Sequence, residues 1–207
     1  HWQLKILAHV ATAFGALTLV VGLLWFELAP HSWPTAFAVL TLVYGLVGYA
    51  LRRWRFMRLA GRDWMEIWER PLLWAGWLIS IITLAYTLIF SLALLPSTFE
   101  LVNQNFLTSV YEVEVAFMVV RTFALLGLFY LTAALVERRY RLTYLALLLL
   151  FASWSTWLLF IQNARELQLY ALPAGFYLLG MGWLEWAQGN KTVARWLDLL
   201  AVLILYG

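Results

Sequence analysis

Residues 34–62 read PTAFAVLTLVYGLVGYALRRWRFMRLAGR. Positions 34–51 carry no charge, and then five of the next eleven residues are arginine. A helix of eighteen residues rises about 27 Å, close to the ~30 Å of a bilayer's hydrocarbon core. An arginine block cannot follow the helix into hydrocarbon, because each charge there costs several kcal/mol. The stretch therefore reads as a membrane span stopped at a polar surface.

The same alternation runs along the whole chain. Apolar stretches almost free of charge lie at roughly 6–27, 34–51, 72–95, 114–136, 142–161 and 169–187, with the start of another from 196 to 207 and onward. All are expected to be helices, since an open backbone cannot be satisfied in lipid. Alternating segments of about ten residues, the mark of a membrane β-barrel, are absent from the sequence. The expectation is an all-α polytopic bundle of six full spans and a seventh that continues beyond the piece given. The chain opens on His1 and closes within an apolar run, which fits a longer parent.

Composition agrees. Of 207 residues, 64% are hydrophobic and 12% charged, about half the charged share of a soluble domain. The net charge is +3, with no cysteine. This excludes disulfides and Cys-ligated metals. The basic residues flank apolar spans, so they point to topology and anionic lipid, with no nucleic acid implied.

Twelve of the fourteen Lys and Arg residues fall before span one or after spans two, four and six. They are Lys5, Arg52, Arg53, Arg55, Arg58, Arg62, Arg70, Arg138, Arg139, Arg141, Lys191 and Arg195. Arg165 alone lies in an opposite loop, and Arg121 lies inside span four. The positive-inside rule places the N-terminal end in the cytoplasm of a cell-membrane protein. Arg52, Arg53 and Arg55, with Trp64 and Trp68, form the expected lipid interface.

Spans two, four and six share a register. Tyr44, Tyr130 and Tyr177 align, with Phe37, Phe123 and Tyr170 seven residues earlier and Ala38, Ala124 and Ala171 six earlier. Arg52, Arg138 and Glu185 follow eight later. These would be parallel hairpin repeats. Asp63-Trp-Met-Glu66 has capping-box spacing, and Pro71 follows, so a short interfacial helix is expected at about 63–70. A second is expected on the outer side at about 98–107, where Ser97 and Glu100 repeat the spacing.

Few residues suggest chemistry. Arg121 lies two turns inside span four, seven residues after Glu114. Its structural reading is an ion pair with Glu114 or an outward-snorkelling side chain; its functional reading is an anion or gating site. Ser80, Thr83, Thr87 and Ser91, with Gly76, share one stripe of span three. They either line a polar path or let helices pack and hydrogen-bond. Span one has a small face of Ala8, Ala11, Gly15, Thr18 and Gly22. Pro173 interrupts span six. Trp154 and Trp157 sit deep in span five. Glu185 and Asp198 approach the inner face, with Lys191 and Arg195 as expected partners.

No nucleotide-loop, metalloprotease or nucleophile-elbow motif is present in the sequence. No catalytic residue, metal ligand or cofactor is expected. His9, in Leu-Ala-His-Val-Ala, resembles the bacteriochlorophyll-ligating histidine of light-harvesting antenna helices. That resemblance covers one helix and would imply a pigment ligand; an interfacial histidine is the alternative.

Residues 169–180, Leu-Tyr-Ala-Leu-Pro-Ala-Gly-Phe-Tyr-Leu-Leu-Gly, resemble the repeat helix of large multi-spanning bacterial membrane proteins. The resemblance covers about the last forty residues. It implies a class and an architecture, and no activity.

Three functions are compatible with these features. The first is a structural or assembly subunit that packs through small faces, with protein partners or further copies of itself. The second is a transporter or lipid-handling permease using Arg121, the span-three hydroxyls and Pro173. The third is a membrane enzyme, which would need Arg52, Arg53, His9, Glu185 and Asp198 around one pocket. The first is the expectation.

Overall fold

The computed structural model describes residues 2–56, 62–98, 106–163 and 166–206. They form seven α-helices and no strand. These are α1 (Trp2–Trp25), α2 (Trp33–Phe56), α3 (Arg62–Thr98), α4 (Phe106–Glu137), α5 (Tyr140–Thr156), α6 (Leu167–Ala187) and α7 (Lys191–Tyr206). A 3₁₀ turn, Pro30–Ser32, leads into α2, and a π turn, Trp157–Ile161, extends α5.

Five helices are long and apolar enough to cross a membrane: the stretches Gln3–Trp25, Pro30–Arg53, Met65–Leu92, Val113–Glu137 and Tyr140–Ile161. α6 and α7 are not among these five. α6 is long enough at 21 residues, but Gln168, Pro173, three glycines and Glu185 dilute it. α7, at 16 residues, is short.

The apolar surface is consistent with lipid as solvent. α1 turns Leu7, Phe14, Leu17, Val21 and Leu24 outward, each more than half exposed. α3 does the same with Leu78, Ile81, Ile82 and Ile89. Soluble monomers seldom expose contiguous apolar patches beyond a few hundred Å².

α4 is the central helix. Half of its apolar window is buried, against 17% for α1. Val115, Ala116, Val119, Phe123, Leu126, Phe129 and Tyr130 form its buried face. Trp77 of α3 meets Phe129 and Tyr130 edge-on, with ring centroids 5.4 and 5.5 Å apart.

The closest pairings are α2 with α3, α4 with α5, and α6 with α7. α2 also packs on α4, and α1 on α3. Each close pair is antiparallel, and glycines set its register. A Cβ on Gly48 of α2 would lie 2.8 Å from Leu73 of α3, and one on Gly127 of α4 would lie 2.9 Å from Leu150 of α5. In the last pair, Gly175 lies against Leu205 and Gly182 against Asp198, a repeat of seven residues on both helices. Without these side chains the backbones approach closely, the usual basis of packing between membrane helices.

Three helix ends close alike. The amide of Leu28 donates to the Leu23 carbonyl, that of Arg139 to Ala134, and that of Asn190 to Glu185, at 2.9–3.1 Å. The residue before each donor is left-handed: Glu27 at φ 49°, Arg138 at φ 54° and Gly189 at φ 89°. This is the Schellman closure, which favours glycine.

Two expectations differ from the fold. Residues 63–70 are helical but are not a separate helix, because α3 runs unbroken for 37 residues. That length is about 55 Å, well beyond the hydrocarbon core, so its first turns can leave the apolar zone without a break. Pro71 therefore stands inside α3. On α1, the buried residues are Ala8, Thr12 and Leu23, while Ala11 and Thr18 are exposed. The packed face overlaps the stripe of small residues only in part. Most of the outer segment at 98–107 lies outside the described residues.

Candidate functional site

The densest polar cluster joins the ends of α2, α3 and α4. Arg52 Nε lies 3.9 Å from Glu69 Oε1 of α3, and Arg52 Nη1 lies 4.0 Å from Glu137 Oε1 of α4. Tyr49 donates its hydroxyl to the same Glu137 oxygen at 2.9 Å. Arg139 Nε reaches Glu137 Oε2 at 3.3 Å. Glu69 is 5% exposed. Burying a carboxylate is costly unless a cation and hydrogen bonds compensate it. Arg52 provides that compensation to two helices at once. Its expected lipid-interface position is compatible with this, since its side chain remains about one-third exposed at 36%. Arg53 is exposed. The side chains of Arg55 and Trp64 lie outside the described residues, and Trp68 is half-buried.

Glu69, Glu137 and Tyr49 had no place in the sequence reading. A motif could not have found them, because Arg52 meets partners 17 and 85 positions away.

Higher in the bundle, the hydroxyls are engaged between or within helices. Ser80 is fully buried and bonds the Tyr130 hydroxyl at 3.2 Å. Thr87 donates to the Thr83 carbonyl, and Ser91 to that of Thr87. Thr83 and Thr87 are buried. Thr35 and Thr122 meet at 3.2 Å between α2 and α4. Ser153 of α5 donates to the Val120 carbonyl of α4 at 2.8 Å. The span-three stripe thus faces neighbouring helices, with Ser80 as its interhelical bond.

The three register-related tyrosines hold comparable positions. Tyr44 of α2 donates to the Thr12 carbonyl of α1 at 3.0 Å. Tyr130 of α4 meets Ser80 of α3. Tyr177 of α6 stacks on Phe151 of α5 at 6.0 Å. Each contacts a helix that precedes its own.

Arg121 is exposed, with its guanidinium 5.4 Å from the Phe117 ring centroid. It does not pair with Glu114, whose Oε2 lies 3.5 Å from His31 Nε2. Seven residues are two turns, about 10 Å of rise, and His31 on the turn before α2 is nearer. Thr122 and Phe123, beside Arg121, point inward, so the helix directs Arg121 away from the core.

His9 is exposed on α1, with Nδ1 2.8 Å from the Lys5 carbonyl. A carbonyl only accepts, so Nδ1 carries the proton and Nε2 faces outward. No group of three or more potential metal ligands occurs among the described residues.

Pro173 lines an open groove of about 460 Å³ between α5 and α6 with Leu147, Leu150, Phe151, Trp154, Phe176 and Tyr177. Its wall is apolar. Trp154 and Trp157 lie 5.5 Å apart at its α5 end. Neither Arg121 nor the span-three hydroxyls line this groove.

Glu185 departs from its expected partners. It accepts a short hydrogen bond from the Tyr144 hydroxyl and another from Asn190 at 2.7 Å. Lys191 instead lies over the Trp186 ring at 5.8 Å. Asp198, half-buried on α7, fits the notch left by Gly182. Glu185 and Asp198 share the α6–α7 pair, whereas Arg52 and Arg53 lie on α2 and His9 on α1.

These features define a class: an all-helical protein with apolar helices of membrane-spanning length, whose polar side chains bond both within and between helices. Comparison with known proteins goes no further, since no family model, curated protein or solved structure matches the chain.

Proposed function

We propose that this chain is a structural or assembly subunit of a membrane complex. The observation that carries the reading is where the intramembrane hydroxyls go. Ser80, Tyr130, Thr35, Thr122, Tyr44 and Ser153 bond across helix pairs. The groove between α5 and α6 is apolar. A solute path through hydrocarbon needs polar groups around a continuous cavity. Here those groups hold the bundle together.

In this reading α6 is a sixth crossing and α7 re-enters from the cytoplasmic side. The clustered arginines at the ends of α2 and α4, and at the start of α5, face anionic lipid of the inner leaflet. The pairs α2–α3, α4–α5 and α6–α7 are tandem hairpins, supported by the comparable tyrosine contacts. The transport alternative draws on Arg121, the span-three hydroxyls and Pro173; of these, only Pro173 lines that groove, which favours the assembly reading.

The test is purification from native membranes in mild detergent. A particle of fixed stoichiometry larger than one chain is expected. A clean monomer that moves solute after reconstitution would overturn the reading.

A further inference from the structure

We infer that the exposed flank of α7 is a self-association surface and that its occupant is α7 of a second copy. This deepens the assembly reading, on which it rests, by naming one partner.

The surface is an open depression of about 360 Å³ lined by Arg195, Asp198, Leu199 and Val202 of α7. Around Leu199 these occupy positions i−4, i−1, i and i+3. In parallel two-stranded packing, that set of four residues is the hole that receives the same residue from the facing helix. Leu199, 60% exposed, is the matching knob. Two copies inserted with the same orientation are related by an axis along the membrane normal, so their α7 helices run parallel. An isologous contact requires a self-complementary patch, and hole and knob occupy one patch here.

The charges complement each other as well. Arg195 is exposed and Asp198 half-buried one turn further along, and neither has an ion-pair partner among the described residues. Seating Leu199 in the facing hole brings each Asp198 within reach of the other copy's Arg195. The patch thus presents two reciprocal ion pairs to charges that have no ion-pair partner among the described residues. One Asp198 oxygen sits in the notch at Gly182 of α6, while the residue also lines the depression beside Arg195.

The natural absence of cysteine makes a direct test possible. Leu199→Cys, Val202→Cys, Leu200→Cys and Leu203→Cys are made singly in the full chain and oxidised in native membranes. The expected result is a disulfide-linked dimer at 199 and 202, at least tenfold above that at 200 and at Val193→Cys, made in the same way, which lie on the opposite flank; 203, one turn beyond 199 on the adjoining face, should give an intermediate yield. In the Leu199→Cys background, Asp198→Arg should abolish the dimer, and Arg195→Asp with Asp198→Arg should restore it. Equal crosslinking at 199, 202, 200 and 193, or no rescue by the swap, would overturn the inference. If the chain still purifies in a defined complex with other proteins, only the self-association fails. If it purifies alone as a monomer, the assembly reading fails with it.

Discussion

The hydroxyl of Tyr44 reaches across Gly15 to donate to the Thr12 carbonyl at 3.0 Å. This is how α1, otherwise the least buried of the five long apolar helices, is fixed to α2. A Cβ on Gly15 would run into the Tyr44 oxygen. Gly15→Val should therefore displace Tyr44 and loosen α1, costing about 1–3 kcal/mol by overpacking. Tyr44→Phe removes only the bond and should cost about 0.6 kcal/mol, the average for such bonds in membranes. Unfolding in mixed micelles measures both. Equal losses would show that the hydrogen bond, and not the close approach, holds α1.

Arg52 should behave as a shared counter-ion. Arg52→Ala leaves Glu69 and Glu137 without it, and should cost about 2–4 kcal/mol, toward the lower part of the range because Arg52 is partly exposed. Replacing the pair together, Arg52→Met with Glu69→Gln, should recover most of the loss. A double-mutant cycle in the same micelles checks this, and strict additivity would contradict the pairing.

Arg121 should be dispensable for the fold. It is exposed and pairs with no carboxylate among the described residues. Arg121→Leu should not destabilise the bundle, and taking an exposed charge off an apolar span should raise stability by up to about 2–3 kcal/mol. A loss above 2 kcal/mol would mean that the side chain is held by an ion pair after all.

Arg138 holds a left-handed conformation at φ 54° between α4 and α5. For a residue with a Cβ this costs about 1 kcal/mol, which Gly189 avoids at the matching turn. Arg138→Gly should stabilise the α4–α5 hairpin by roughly that amount. Slower amide exchange at Arg139, whose amide closes the turn, would report it.

The lipid-facing lengths were legible because charge is excluded from hydrocarbon, and that exclusion marks the ends of a span locally. Helix start and stop were less so. Asp63 to Pro71 reads as a complete small helix, yet α3 passes through it, since a proline inside a helix can be carried by packing on both sides. Face assignment on α1 was right in part. Of the small residues at 8, 11, 15, 18 and 22, Ala8 is buried and Gly15 meets Tyr44, while Ala11 and Thr18 are exposed. The candidate site was least legible. Arg121 stood out as a lone charge, whereas Glu69 and Glu137 were hidden among the arginines of the basic clusters. Their burial depends on contacts between distant segments.

The central claim is that the bundle is a part of an assembly. The most direct measurement is the mass and stoichiometry of the chain extracted from native membranes into lipid discs, followed by solute-flux assays on the same particles. The account predicts a defined multi-subunit particle with no flux of its own. A single chain per disc that carries solute across reconstituted vesicles would contradict it.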